Sequence, residues 1–278
     1  MDNAPIISEN YGDFTVDGYS RAAVQTYWRV NEMHLGFDLG AHPWDFMGIP
    51  NWFISHTHLD HIAALPVYLA RRRMMKMEPP TVYVPEVAID SVKQMLGPFQ
   101  RLDRGRLPCR FRGVVDGDEF EISRELVVTA HAMTHTIPCF GYIVWERRKK
   151  LKPEFQGMSG DQIRDIRLSG TEVSAEIRVP RLAYTGDTSP AGLDNNPDFF
   201  KAQVLISEMT FVAPDHCSDL IHKHGHMHLD DIVKRKDRFE NDVIIFGHLS
   251  TRYHDNQIMN YVERKFPDML GGRIRIWI

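Results

Sequence analysis

The chain has 278 residues, of which 43% are hydrophobic and 10% aromatic, with a formal net charge of -4. That length and composition supply a large core in one big domain or two small ones, and the charge balance argues against a general nucleic-acid binder, which gains affinity by neutralising phosphates. The three cysteines, Cys109, Cys139 and Cys217, are widely spaced and odd in number, which argues against a disulfide framework and for a reducing compartment, cytosolic or nuclear.

Met1 to Ser20 scatters Asp2, Asn3, Glu9, Asp13 and Asp17 among single apolar residues, so no secretory leader is expected there. No apolar run approaches the roughly 20 residues of a membrane span. Apolar and β-branched runs predict strands over Val24–Val30, Leu35–Asp38, Trp52–Ser55, Thr81–Val84, Leu126–Ala130, Phe140–Trp145, Arg181–Tyr184, Val204–Ile206, Val243–Phe246 and Arg273–Ile276. Helical spacing falls between them over His61–Arg73, Glu86–Leu96, Leu229–Phe239 and Asp255–Phe266. Strands with interspersed helices fit face-to-face sheets with helices outside, although periodicity does not separate that from other α/β architectures.

Residues 146–180 differ from the rest. They are strongly polar, begin with the basic run Arg147-Arg148-Lys149-Lys150, and contain Pro153, Gly157, Gly160 and Gly170. Ser159 and Gln162 are spaced as a capping box that opens a short helix. The segment reads as an insertion standing away from the core. Other basic clusters lie at Arg71-Arg72-Arg73 with Lys76, between Arg101 and Arg112, and at Lys234-Arg235-Lys236 with Arg238. Each is a solvated face on the plain reading; together they permit an anionic substrate.

The chemistry concentrates in His56-Thr57-His58-Leu59-Asp60-His61, directly after the apolar run Trp52-Phe53-Ile54. On an extended segment His56 and His58 point to the same side and can share one cation, and the turn into a helix redirects Asp60 and His61 toward a second. Imidazoles with a carboxylate suit Zn²⁺. Two metals need further ligands, and His135, Asp187 in Gly186-Asp187-Thr188, and His248 each stand at or near a predicted strand end. On residue type alone Asp187 could equally be a turn residue, and His135 has a rival in His131.

This constellation, a His-x-His-x-Asp-His followed by a separate His, a Gly-Asp-Thr and a late His, resembles the metallo-β-lactamase superfamily. The resemblance implies the α/β (α+β) class and an αββα sandwich with metals at one edge. Ser207-Glu208-Met209-Thr210-Phe211, Gly225-His226-Met227-His228 and His248-Leu249-Ser250-Thr251-Arg252-Tyr253 are similar to the tail of ribonuclease Z, the tRNA 3′-processing endonucleases. Lys76-Met77-Glu78-Pro79-Pro80-Thr81, Leu151-Lys152-Pro153-Glu154-Phe155 and the Ser159-Gly160 insertion resemble the short form found in plants. The similarity runs from about Gly18 to the C-terminus. The Phe-Leu-Gly-Thr-Gly-like start and the long Gly- and Pro-rich arm of other members are missing.

The resemblance implies one domain over 1–278, with 146–180 as a short exosite-like arm. It implies two Zn²⁺ per subunit, with Mn²⁺ or Fe²⁺ as substitutes, held by His56, His58 and His135 on one side and by Asp60, His61 and His248 on the other, with Asp187 bridging. Glu208 and His226 would handle the leaving-group proton, and Asp60 would orient the attacking water. The implied substrate is precursor tRNA, the implied products are a 3′-hydroxyl on the tRNA body and a 5′-phosphate on the trailer, and the implied assembly is a homodimer in cytoplasm or nucleus. Arg252, Tyr253 and the tract Arg147, Arg148, Lys149 and Lys150 are candidate substrate contacts.

Alternatives remain at the level of the residues. His226 is otherwise one of a surface cluster with His222, His224 and His228, and Arg252 either meets phosphate or pairs with an acid. Cys139 reads as a small buried hydrophobe. Rival functions are hydrolysis of a small phosphodiester, ester or lactone on the same fold, a di-iron redox protein, in which a glutamate commonly replaces His58, and a non-catalytic RNA binder.

Overall fold

The computed structural model describes residues 4–214 and 216–278, so the first three residues of the amino-terminal stretch lie outside the described residues. Two seven-stranded sheets dominate it. The first holds β1 (Ile7–Asn10), β2 (Thr15–Arg21), β3 (Gln25–Val30), β4 (Leu35–Phe37), β5 (Asn51–Phe53), β6 (Thr81–Pro85) and β7 (Arg110–Val114), paired in that order. The second holds β8 (Glu119–Glu121), β9 (Leu126–Met133), β10 (Cys139–Leu151), β11 (Ser174–Tyr184), β12 (Val204–Glu208), β13 (Val243–Gly247) and β14 (Ile274–Ile276), again in chain order. In each sheet an antiparallel half gives way to a parallel half, at β4 in the first and at β11 in the second.

Period-two alternation sorts the strand residues into layers. Phe53 and Tyr83 of the first sheet join Tyr142, Tyr184 and Ile206 of the second in the core between the sheets. Their neighbours Trp52, Ile54, Val82 and Val84 face outward and pack under α1 (Leu59–Ile62), α2 (Leu65–Met74) and α3 (Ile89–Leu102), through Ile62, Leu65, Leu69, Val92 and Leu96. On the far side Ile143, Ala183, Leu205 and Ile244 face outward. There they meet Leu193 of α5 (Pro190–Asn195), Leu229 and Ile232 of α7 (Leu229–Lys234), and Ile258 and Val262 of α8 (Asp255–Lys265). The architecture is therefore an αββα sandwich with three apolar interfaces, as the resemblance implies.

Residues 146–180 extend β10 and β11 outward as an antiparallel ribbon, paired from Trp145↔Pro180 to Leu151↔Ser174 beyond a register shift at Val144/Trp145. Helix α4 (Gly160–Leu168) caps its end, opened by the capping box of Ser159 and Gln162. The β10 side of the ribbon, Glu146 to Lys150, is polar throughout, and on the β11 side Ala175, Ile177 and Val179 alternate with polar residues but none is buried and Pro180 follows them, so the predicted strands stop at Trp145 and begin at Arg181, while main-chain pairing carries both further. Strands β1, β2, β7 and β8 also escape periodicity; β1 is an edge with exposed alternate residues, and β8 has three residues. The helix expected over His61–Arg73 is two helices, because Pro66 lies at the start of α2 and cannot donate a backbone hydrogen bond into a continuous helix. Among the described residues no helix is long and apolar enough to cross a membrane.

Candidate metal centre

Every candidate ligand follows the carboxyl end of a strand. His56 and His58 come after β5, with Asp60 and His61 on α1; His135 follows β9, Asp187 follows β11, and His248 follows β13. Parallel strands place their carboxyl ends on one edge, so residues far apart in sequence converge. The ligand atoms of His56, His58, His135 and Asp187 lie within 4.8 Å of one another, as do those of Asp60, His61 and His248.

Individual distances define two subsites. Nδ1 of His58 is 3.1 Å from Nε2 of His56 and 3.2 Å from Nε2 of His135. Nε2 of His61 is 3.3 Å from Nε2 of His248, and Oδ2 of Asp60 lies 3.7 and 3.6 Å from those two nitrogens. One oxygen, Oδ2 of Asp187, stands between the groups, 3.6 Å from His56, 3.5 Å from His61 and 3.4 Å from His248. His131, the sequence rival of His135, sits elsewhere, bonded to Thr129 and edge-on to Phe199.

A second layer orients these rings. Nδ1 of His61 donates to Asp38 at 2.7 Å, Nδ1 of His56 to Ser55 Oγ at 3.0 Å, Nδ1 of His135 to the Gly225 carbonyl at 3.0 Å, and Nδ1 of His248 to Thr210 Oγ1 at 3.1 Å. Each bond fixes the tautomer and aims Nε2 inward. Asp38 is fully buried at φ 55° and also accepts the Ser55 N–H, the Ser55 hydroxyl and the Tyr184 hydroxyl. Gly225, at φ 72°, has no room for a side chain, because a Cβ would lie 2.5 Å from Cα of His135. On α1, Asp60 is held by the Ala23 N–H at 2.8 Å. Sequence reading missed Asp38, Ser55, Thr210 and Gly225 as site residues; the one local signal was a charged residue closing the apolar run Leu35-Gly36-Phe37.

The electrostatics follow from burial and crowding. Burial lowers the proton affinity of His56, His58 and His135, which favours the neutral imidazole with a free lone pair. Burial also opposes charge on His61, but Asp187, Asp38 and Asp60 outweigh it and raise the ring to about 9. Burial pushes the Asp187 carboxyl up, yet His248, His61 and His56 hold it well below the usual carboxylate range.

Beside the cluster, Glu208 is buried at the end of β12 and its Oε1 lies 3.2 Å from Nδ1 of His226. Glu208 also accepts the Thr188 N–H at 2.8 Å and the Thr210 hydroxyl at 2.5 Å. Burial lowers His226, but the Glu208 carboxylate more than compensates and raises it to about 9. Two other members of its histidine cluster are engaged differently: His222 bonds Asp231, and His228 bonds the Ala213 carbonyl and caps α7, while His224 is exposed. His226 also lines a cavity of about 410 Å³ together with His58 and His135, and one of its ring nitrogens lies within 4.8 Å of ligand atoms of Asp187 and His248.

The remaining candidates are more scattered. Arg252 is exposed, with its guanidinium 6.0 Å from the ring centre of Phe211, whereas Tyr253 is buried. In the ribbon Arg147 is ion-paired to Glu121 and Glu176, and Arg148 to Glu146, while Lys149 and Lys150 are exposed. Buried Cys139 bonds the Asp187 carbonyl through its thiol.

Residues 42–249, which contain every ligand candidate, match the beta-lactamase superfamily domain. The chain is 35% identical over 267 residues to tRNase Z TRZ1 of Arabidopsis thaliana, covering 94% of each protein. Similar folds are found in the metallo-beta-lactamase fold protein YhfI from Bacillus subtilis (TM-score 0.62, 15% identity, 93% and 92% of the chains covered) and in human tRNase Z, short form (TM-score 0.52, 18% identity, 86% and 87%). With its fold, its converged histidines and aspartates, and this full-length similarity, the chain belongs to the ribonuclease Z (tRNase Z) family of the beta-lactamase superfamily.

Proposed function

We propose that this protein is a zinc-dependent endoribonuclease that removes the 3′ trailer of precursor tRNA, leaving a 3′-hydroxyl on the tRNA body and a 5′-phosphate on the trailer. The observation that carries this reading is the Glu208–His226 pair, 3.2 Å apart and adjoining the ligand cluster in a chain similar to tRNase Z TRZ1 over 94% of its length. Hydrolysis of a phosphodiester releases a poorly stabilised alkoxide, so a positioned acid is needed, and a carboxylate-backed imidazole is suited to that task.

The donors fit two zinc ions. Tetrahedral Zn–N bonds of about 2.0–2.1 Å place neighbouring donor atoms about 3.3 Å apart, and the imidazole pairs here are separated by 3.1, 3.2 and 3.3 Å. His56, His58 and His135 would hold one ion, Asp60, His61 and His248 the other, and Asp187 both, with Mn²⁺ or Fe²⁺ as substitutes. When bound, zinc supplies Lewis-acid polarisation of the phosphoryl group and acidifies water toward a pKa near 7. Asp60 orients the attacking water. Nε2 of His226 gives its proton to the departing 3′-oxygen, while Glu208 keeps the other proton on Nδ1.

Substrate binding in this reading falls to Arg252 at the cavity and to residues 146–180 as an exosite-like arm meeting the tRNA backbone. The chain is read as one domain over 1–278 that forms a homodimer, in cytosol or nucleus. The free cysteines accord with a reducing compartment.

The test is cleavage of a 3′-extended precursor tRNA by the zinc-loaded protein, beside bis(p-nitrophenyl) phosphate and a His226→Ala control, with the RNA ends mapped. A cut leaving a 3′-hydroxyl, lost in the variant, supports the assignment. Hydrolysis of the small diester without RNA cleavage overturns it in favour of a small-molecule phosphodiesterase.

A further inference from the structure

The cavity of about 410 Å³ beside His226 is lined by imidazole rings and by apolar side chains. Its inner end is polar, formed by His58, His135 and His226. Its outer end is mixed, formed by the Phe211 ring with Leu220 and Ile221 of α6 (Ser218–Lys223), by His216, whose ring stands edge-on to Phe211 at 5.1 Å between centroids, and by Arg252. Leu220 is 55% exposed, and α6 is otherwise Ser, Asp, Ile, His and Lys, so Leu220 contributes little to the core. An exposed leucine and a half-buried phenylalanine opening onto the proposed acid call for an apolar ligand group at that place.

We propose that this outer end is a stacking subsite for the base of the nucleotide immediately 5′ to the scissile phosphate, with Phe211 as the platform and Leu220 and Ile221 as the wall. The inference rests on the ribonuclease reading above and adds the side of the cut on which the base is held. The proton from His226 goes to the departing 3′-oxygen, which belongs to the upstream nucleotide, so that nucleotide must lie on the His226 side. His226 itself lines the cavity, whose size of about 410 Å³ suits one nucleoside. Arg252, with its guanidinium 6.0 Å from the Phe211 ring centre, stands where the phosphate of a stacked nucleotide would need a cation. Because every base has a π-face, an apolar platform holds a base with little regard to identity. The subsite therefore positions the 3′-terminal nucleotide of the product without reading its edge.

The experiment uses the zinc-loaded full chain and a 3′-extended acceptor-stem hairpin RNA. The hairpin carries either its normal base or an abasic ribonucleotide, placed just 5′ or just 3′ of the cut. Wild type is compared with Phe211→Leu, which keeps apolar volume but removes the ring, and with Leu220→Ser at the exposed wall; zinc content and melting temperature establish that each variant is folded. In wild type the 5′ abasic site lowers kcat/KM about ten- to hundredfold, the range that loss of one stacked base represents. The 3′ abasic site and exchange among the four bases at the 5′ position change it less than about threefold. In Phe211→Leu the 5′ abasic penalty shrinks toward unity, and Leu220→Ser reduces it partly. A full penalty persisting in Phe211→Leu, or coupling of either variant to the 3′ nucleotide instead, overturns the subsite while leaving the ribonuclease reading intact. Failure of wild type to cut the unmodified hairpin and precursor tRNA alike overturns both.

Discussion

Oε1 of Glu208 lies 3.2 Å from Nδ1 of His226 and simultaneously accepts the Thr188 N–H at 2.8 Å. The carboxylate is thus pinned from the segment after β11, and the imidazole it orients also lines the cavity. An acid matters in proportion to the basicity of the leaving oxygen. His226→Ala is expected to slow RNA cleavage about 10²- to 10⁴-fold, but to slow bis(p-nitrophenyl) phosphate hydrolysis far less, since p-nitrophenolate leaves without protonation. Equal losses on the two substrates, with zinc content preserved, would remove His226 from the acid role.

Asp38 ties three elements to the site: it accepts the His61 ring N–H, the Ser55 N–H and hydroxyl, and the Tyr184 hydroxyl. Asp38→Ala leaves those donors buried without a partner and frees the His61 ring to rotate. Zinc affinity is expected to drop about 10- to 100-fold, with a lower melting temperature, while Asp38→Asn retains more of both because asparagine tolerates the left-handed backbone. Competition titration with a chelating dye measures the affinity, and an unchanged value for Asp38→Ala would refute the positioning role.

Asp187 contacts both halves of the cluster through one oxygen, whereas His135 reaches only the first. Asp187→Ala should therefore release metal from both subsites, and His135→Ala from one. Elemental analysis after dialysis distinguishes them. Removal of all metal by chelation should lower the melting temperature, since the ions bind the folded site and it otherwise crowds Asp60 and Asp187 together. Zinc should restore it.

Glu146 is held down to about 2 by hydrogen bonding to Arg148, with burial opposing and Arg181 adding a second guanidinium. A carboxylate depressed in the folded state contributes stability above its ordinary pKa of about 4.3, and that contribution is lost as pH falls toward 2. Arg148→Ala should raise the Glu146 pKa and lessen the acid dependence of unfolding between about pH 4.5 and 2. Denaturant titrations across that window check it; identical slopes in wild type and variant would exclude the pair as a contributor.

The ribbon divides its basic tract into engaged and free members. Arg147 and Arg148 are ion-paired, whereas Lys149 and Lys150 are exposed and have no ion pair among the described residues. Lys149→Glu with Lys150→Glu is expected to weaken precursor tRNA binding and flatten its dependence on salt by up to about two counterions, with diester hydrolysis unchanged. Binding isotherms at several salt concentrations read this directly. Loss of both activities would point to misfolding or to a role in the site itself.

Much of the fold was legible locally. The apolar runs around Trp52-Phe53-Ile54, Val204-Leu205-Ile206 and Val243-Ile244-Ile245 alternate between two apolar faces, and the layers follow from that periodicity. The ribbon was not read as strand, because Glu146 to Lys150 is polar throughout and the short alternation of Ala175, Ile177 and Val179 marks no buried face. The same division runs through the site. His56-Thr57-His58-Leu59-Asp60-His61 announces metal chemistry within six consecutive positions, since residue type and backbone period suffice to aim neighbouring side chains. Asp38, Thr210 and Gly225 carry no such mark: they matter only because β4, β12 and the segment before α7 end beside His61, His248 and His135. A hydrogen bond across that separation depends on where two strands finish in space, which sheet order and layer packing set and which no local window of residues encodes.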